Sequence, residues 1–191
     1  NSTKKRRSLG IGFIGLAHYL AKNGEHYDDS SAWQLTHDLT EAFQYYLLKS
    51  SNQLAQEKGK CEYFDRTKYS QGILPIDTYK SDVDEIVPNK LNYDWESLRT
   101  SITTHGLRHS TLSAQMPSES SSIVSNATNG IEPPRDYLSI KKSKKGPLKQ
   151  IVPSYSYLKN NYTILWEMKN NDGYIKVCLL YTSDAADEPV C

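Results

Sequence analysis

The sequence predicts a helix-rich α/β fold, and three observations carry that reading. First, 94–105 reads as a helix: Asp94 is a suitable cap, and Trp95, Leu98 and Ile102 recur three and four residues apart. Second, Gly106 stops that helix, and the alternating run Leu107 to Ala114 reads as a strand. A helix leading straight into a strand is the repeating step of α/β architecture. Third, the end of that strand delivers the chain past Pro117 to a hydroxyl-rich helix start, Ser118 to Ser122. In α/β barrels the C-terminal ends of strands are where ligand sites lie.

The other elements follow in chain order. Lys4–Arg7 is a basic run whose plain reading is a solvated loop. Leu9 to Lys22 carries apolar residues on more than one face and is expected to be a buried helix ended by Asn23-Gly24. Gly10, Gly12 and Gly15 are spaced like a dinucleotide loop, but no strand precedes them, and they read as close packing. Ser30 or Ser31 caps a long helix to about Lys58, with Leu35, Leu39, Ala42, Phe43, Tyr46, Leu47 and Leu54 as its buried stripe. Tyr45-Tyr46 lies within that helix and reads as packing. Cys61 to Asn89 is turn-rich, with Asp82, Asp84 and Glu85 a wet acidic surface rather than a metal site. Beyond Pro133-Pro134 a hairpin is expected, Tyr137–Lys142 with Leu148–Val152, turning at Lys144 to Pro147. Ser154 then caps a helix through Met168, with Tyr155, Leu158, Tyr162, Leu165 and Trp166 inward, closed by Asn170 to Gly173.

Composition narrows the function classes. The chain has 191 residues and a formal net charge of +1. Near-neutral charge argues against a dominant nucleic-acid surface. No apolar run is long enough to cross a bilayer, and there is no signal peptide. Cys61, Cys178 and Cys191 make neither metal spacing nor a disulfide framework, so a reducing cytosol is the expected compartment and no metal is expected. Cys61 has no base beside it in sequence and reads as a packed thiol. His105 and His109 read as hydrogen-bonded structure rather than acid–base groups. Three Asn-x-Ser/Thr triplets carry no weight without a sign of secretion. The chain starts at Asn1 rather than Met and reads as a fragment.

The serine stretch offers two chemistries. The first turn of a helix has N–H groups without intrahelical partners and a partial positive charge, and serine hydroxyls add rotatable donors, so a phosphate fits there. The simpler reading is a serine cap.

Longer motifs add to this. Trp95, Leu98, Gly106-Leu107-Arg108-His109, Ser113-Ala114 and Pro117, followed by Ser125 to Arg135 (SNATNGIEPPR), resemble the large (alpha) subunit of aerobic ribonucleotide reductase, in its bacterial class Ia form. The resemblance runs from about Leu9 to Val177. It implies a sector of a ten-stranded α/β barrel from an enzyme that reduces ribonucleoside diphosphates to deoxyribonucleoside diphosphates. It also implies that Ser118, Glu119, Ser120 and Ser121 match the segment binding the substrate diphosphate. Relatives often carry Thr at the place of Ser120, and the hydroxyl is kept.

In that family a cysteine thiyl radical takes hydrogen from the ribose, a cysteine pair supplies electrons, and a glutamate moves protons. That set lies upstream of this stretch. The radical-transfer tyrosine pair and the tail cysteines lie downstream. The stretch alone is therefore expected to be inactive, with no catalytic residue and no cofactor of its own. The resemblance further implies ATP and dNTP effectors, a radical supplied by a small (beta) subunit, thioredoxin or glutaredoxin as reductant, a homodimer, and a cytoplasmic location, with neither nucleic acid nor membrane as partner. The alternative is a non-catalytic nucleotide- or phosphate-binding module. At Cys178 the resemblance breaks: Cys178 to Glu188 looks like a translated sequencing adaptor, so 1–177 is taken as barrel and 178–191 as non-native.

Overall fold

The computed structural model describes residues 2–87, 90–134, 136–143, 146–162, 166–169 and 175–178; for 141–143, 166–169 and 175–178 it describes the backbone alone. The chain divides into two compact units, Asn1–Gly12 with Trp33–Gln115, and Phe13–Ala32 with the chain from Met116.

In the first unit, α1 (Ser2–Arg6) leads into an extended segment. The N–H groups of Leu9 and Ile11 donate to Thr111 and Leu112 carbonyls, both at 2.9 Å, and Ala114 N–H returns to Ile11 at 3.0 Å. Ile11 and Ser113 thus form a parallel bridge. This corrects two expectations. No helix begins at Leu9, because glycines at 10, 12 and 15 each cost a helix about 1 kcal/mol relative to alanine. A Cβ on Gly12 would lie 2.4 Å from the Ala114 carbonyl oxygen, so close packing is the role of that glycine. The run Leu107–Ala114 is extended as expected, but it is not a full strand. Arg108 N–H goes to Ser51 and Ser110 N–H to Arg6, which leaves only its last residues to pair with the 9–11 segment.

The long helix is α3 (Ser30–Lys58), as expected. Its buried face is rotated from the predicted stripe: Glu41, Tyr45, Leu48, Asn52 and Ala55 are buried, while Tyr46 is 52% exposed. Apolar residues cover two neighbouring faces here, and polar Glu41 and Asn52 sit on the inward one. Asn52 earns its place by donating to the Ser101 and Gly106 carbonyls at 3.1 and 2.9 Å. Short 3-10 turns fill 64–85. Then α4 (Trp95–His105) begins where Asp94 accepts from Ser97 N–H and ends at Gly106, with Trp95, Leu98 and Ile102 buried. These join Tyr45, Leu48, Cys61, Phe64, Leu74, Leu107 and Leu112 in one core.

In the second unit, α2 (Leu16–Asn23) starts at left-handed Gly15 and ends at left-handed Gly24, burying Leu16, Ala17, Leu20 and Ala21 at helical spacing. After α5 (Glu119–Val124) comes an antiparallel hairpin, β1 (Leu138–Ser143) with β2 (Gly146–Ile151), Leu138 opposite Ile151. It matches the expected hairpin within two residues; Lys144 and Lys145 of its turn lie outside the described residues. The expected helix from Ser154 to Met168 is corrected. Among the described residues, α6 (Tyr155–Leu158) and a 3-10 turn, Lys159–Asn161, form there, and β3 (Trp166–Lys169) pairs antiparallel with β4 (Ile175–Cys178). The cause is tertiary: Asn161 Nδ2 donates to the Ala21 carbonyl, and buried Tyr162 donates to that of Pro153. Leu165 and the Asn170–Gly173 turn lie outside the described residues.

Candidate functional site

All four predicted diphosphate residues fall in one turn. Ser118 is the residue before α5, and Glu119, Ser120 and Ser121 are its first turn. Ser118 is half-buried and the other three are exposed. The serine-cap expectation is corrected. Ser118 makes no side-chain cap; its hydroxyl donates back to the Met116 carbonyl at 3.2 Å. The nearby acceptor comes from elsewhere: Ser118 N–H donates to Asn129 Oδ1 at 2.6 Å.

The remaining hydroxyls divide by use. Ser122 is 1% exposed and donates to the Glu119 carbonyl. Ser125 donates to the Ser121 carbonyl at 2.7 Å. Ser121 makes only a long bond, 3.4 Å, to the Ser118 carbonyl. Among the described residues the Ser120 hydroxyl makes no hydrogen bond, and the N–H groups of Ser120 and Ser121 meet no acceptor. The turn therefore presents donors and no competing acceptor bonds on its exposed side, which is the chemistry an anion needs.

Behind it, residues 127–132 are firmly held. Gly15 N–H donates to the Thr128 carbonyl at 3.1 Å, Leu16 N–H to Gly130 at 3.2 Å, and Gln150 Nε2 to Ala127 at 2.9 Å. Thr128 Oγ1 is buried without a partner among the described residues.

Other sequence candidates resolve as structure. Cys61 is fully buried, and burial pushes its thiol pKa up. His109 pairs with Ser51 Oγ at 3.0 Å, and burial, then the Arg108 and Arg7 charges, hold its pKa below the ordinary value. Tyr45 stacks on Tyr93 with centroids 4.6 Å apart and meets Trp95 edge-on, so the tandem tyrosines pack. Lys5 pairs with Glu62 at 2.7 Å, on the surface. Asp84 accepts from Tyr79, and the Asp82–Glu85 patch is exposed.

One cluster escaped sequence reasoning. His37, Asp38 and Glu41 bring donor atoms within 4.8 Å of one another, a pairing hinted at only by the four-residue spacing of His37 and Glu41. Glu41 is spoken for: Trp95 Nε1, both nitrogens of Asn92 and Tyr93 N–H all donate to it. A cation there would have to displace those donors. Burial opposes the Glu41 charge, but the bonds from Trp95, Asn92 and Tyr93 outweigh it and hold the pKa below the usual glutamate value.

The described residues are helix-rich, with one parallel bridge and two antiparallel hairpins, and the start of α5 is an anion-suited turn. The chain belongs to the ribonucleotide reductase barrel domain family, whose model matches residues 1–183. It is 64% identical over 172 residues to the ribonucleoside-diphosphate reductase 1 subunit alpha of Salmonella typhimurium and 63% identical over 172 residues to that of Escherichia coli. It is 47% identical over 174 residues to the subunit alpha of phage T4. Each match covers 90% of this chain and 23% of the relative, so the chain spans about a quarter of their length. Among the described residues no helix is long and apolar enough to cross a membrane.

Proposed function

We propose that this chain is a sector of the ten-stranded α/β barrel of a ribonucleoside-diphosphate reductase alpha subunit. In that reading, Ser118, Glu119, Ser120 and Ser121 hold the diphosphate of the ribonucleotide that is reduced to its deoxy form. The observation that carries it is the pair of unfilled backbone N–H groups at Ser120 and Ser121, beside the unbonded Ser120 hydroxyl. A diphosphate can take all three as charge-assisted bonds. Ser121 Oγ adds a fourth by turning away from its long bond to Ser118. The Glu119 carboxylate is exposed and of the wrong sign to meet phosphate, so its part lies in the backbone of the turn.

The contribution of this segment is positioning. It fixes one end of the substrate so that the ribose meets the radical chemistry supplied by other parts of the enzyme. The whole enzyme, in this proposal, is a cytoplasmic homodimer under ATP and dNTP control that receives its radical from the small subunit and its electrons from thioredoxin or glutaredoxin. The 178–191 tail is proposed to be adaptor-derived, although the family match runs to residue 183; residues 179–191 lie outside the described residues.

The test uses a chimera in which residues 1–177 replace the matching stretch of the Salmonella typhimurium subunit. Ser120→Ala with Ser121→Ala removes two side-chain donors, each worth about 0.5–1.5 kcal/mol net of water, while the backbone N–H groups stay. The KM for CDP is expected to rise on the order of tenfold to a hundredfold. Ser113→Ala, in the extended segment, is the control and leaves KM near wild type. An unchanged KM in the double variant removes the diphosphate assignment.

A further inference from the structure

We infer that Asn129 is the positioning residue of the diphosphate turn, acting through the backbone amide of Ser118 and itself oriented by Glu132. The inference rests on the reading of Ser118–Ser121 given above. Its own geometry is independent of that reading. Ser118 N–H donates to Asn129 Oδ1 at 2.6 Å, and Asn129 Nδ2 donates to Glu132 Oε2 at 2.9 Å. Glu132 N–H donates to the Asn129 carbonyl at 2.9 Å, which closes the turn between them.

The carboxamide can face only one way. A carboxylate accepts and cannot donate at neutral pH, so the Asn129 nitrogen must face Glu132 and the oxygen must face Ser118. The backbone on both sides of Asn129 is pinned, through the Thr128 and Gly130 carbonyls, to the start of α2. Ser118, the residue before α5, gains no such hold from its own hydroxyl, which turns back to Met116. Ala127 N–H holds the far end of α5 through the Ser122 carbonyl at 2.8 Å, and the Asn129 side chain carries the rigidity of the 127–132 segment to the start of the serine turn.

Two consequences follow. The Ser118 amide is withheld from the ligand, which leaves the amides of Ser120 and Ser121 to meet phosphate. Loss of Asn129 would let the turn rotate and misplace those amides without touching any reacting atom. The effect belongs on KM, not on kcat.

In the chimera, Asn129→Ala is expected to raise the KM for CDP about tenfold, equivalent to about 1.4 kcal/mol, with kcat within about twofold. Hydrogen exchange over 116–122 should become faster. The exchanged pair Asn129→Asp with Glu132→Gln keeps the net charge. It keeps the acceptor for Ser118 and restores the side-chain bond with its direction reversed, so KM should return to within about threefold of wild type. A wild-type KM in Asn129→Ala overturns the proposal, and so does an exchanged pair as impaired as Asn129→Ala. If Ser120→Ala with Ser121→Ala leaves KM unchanged, it is the diphosphate reading that fails. Exchange at Ser118 then judges Asn129 by itself: faster exchange in Asn129→Ala supports its hold on the turn, and unchanged exchange overturns it.

Discussion

Glu41 and the serine turn are opposite solutions to the same hydrogen-bond accounting. At Glu41 one buried carboxylate is met by four N–H donors, drawn from Asn92, Tyr93 and Trp95. At the serine turn, donors outnumber acceptors: two amides and one hydroxyl meet nothing among the described residues. Saturation of this kind ties elements together, here α3 to the start of α4. A surplus of exposed donors costs little while water satisfies it and becomes valuable when an anion arrives. A charged side chain in a protein of this class is therefore weighed by what already faces it, not by its type.

The largest effect should come from breaking the saturated side. Glu41→Ala leaves the buried Trp95 Nε1 and the part-buried N–H groups of Asn92 and Tyr93 without their acceptor, at about 1–3 kcal/mol each, partly recovered by entering water. A loss of about 3–4 kcal/mol, lowering the melting midpoint of the chain by roughly 10 °C, is expected in calorimetry. A shift under about 2 °C would show that Glu41 is a bystander.

A smaller effect concerns pH. The folded-state pKa of Glu41 is depressed. Such a group contributes stability that is fully present above the ordinary glutamate value of about 4.3 and is lost as pH falls through the depressed folded value. Asp77, Asp94 and Asp29 are depressed too, by bonds from Arg99, Ser97 and His26, so the whole chain weakens in acid. The informative quantity is the difference between the chain and Glu41→Gln. That gap should be widest near neutrality and should close on acidification below the ordinary glutamate range. A gap that widens in acid would contradict the sign of this argument.

Much of this was legible in the sequence, for reasons that can be named. Asp94, Gly106 and the spacing of Trp95, Leu98 and Ile102 specify α4 completely, because cap, stop and stripe agree. Gly24 ends α2 in the left-handed conformation that glycine tolerates best. The buried face of α3 was misread because hydropathy cannot see that Glu41 and Asn52 are satisfied by groups about fifty residues away in sequence. The helix expected from Ser154 to Met168 failed where tertiary bonds from Asn161 and Tyr162 overrode a helical apolar spacing. The four residues of the proposed diphosphate turn were assigned by motif. Their brace, Asn129, was not, since nothing in an Asn-Gly pair tells whose amide it will accept.

The most direct measurement is amide exchange across 119–122 of the chimera with and without CDP. A diphosphate seated on the Ser120 and Ser121 N–H groups should slow exchange there at CDP concentrations near KM, with Ser118 already slow before CDP is added. Saturating turnover with no protection at 119–122 would contradict the account and move the diphosphate elsewhere in the barrel.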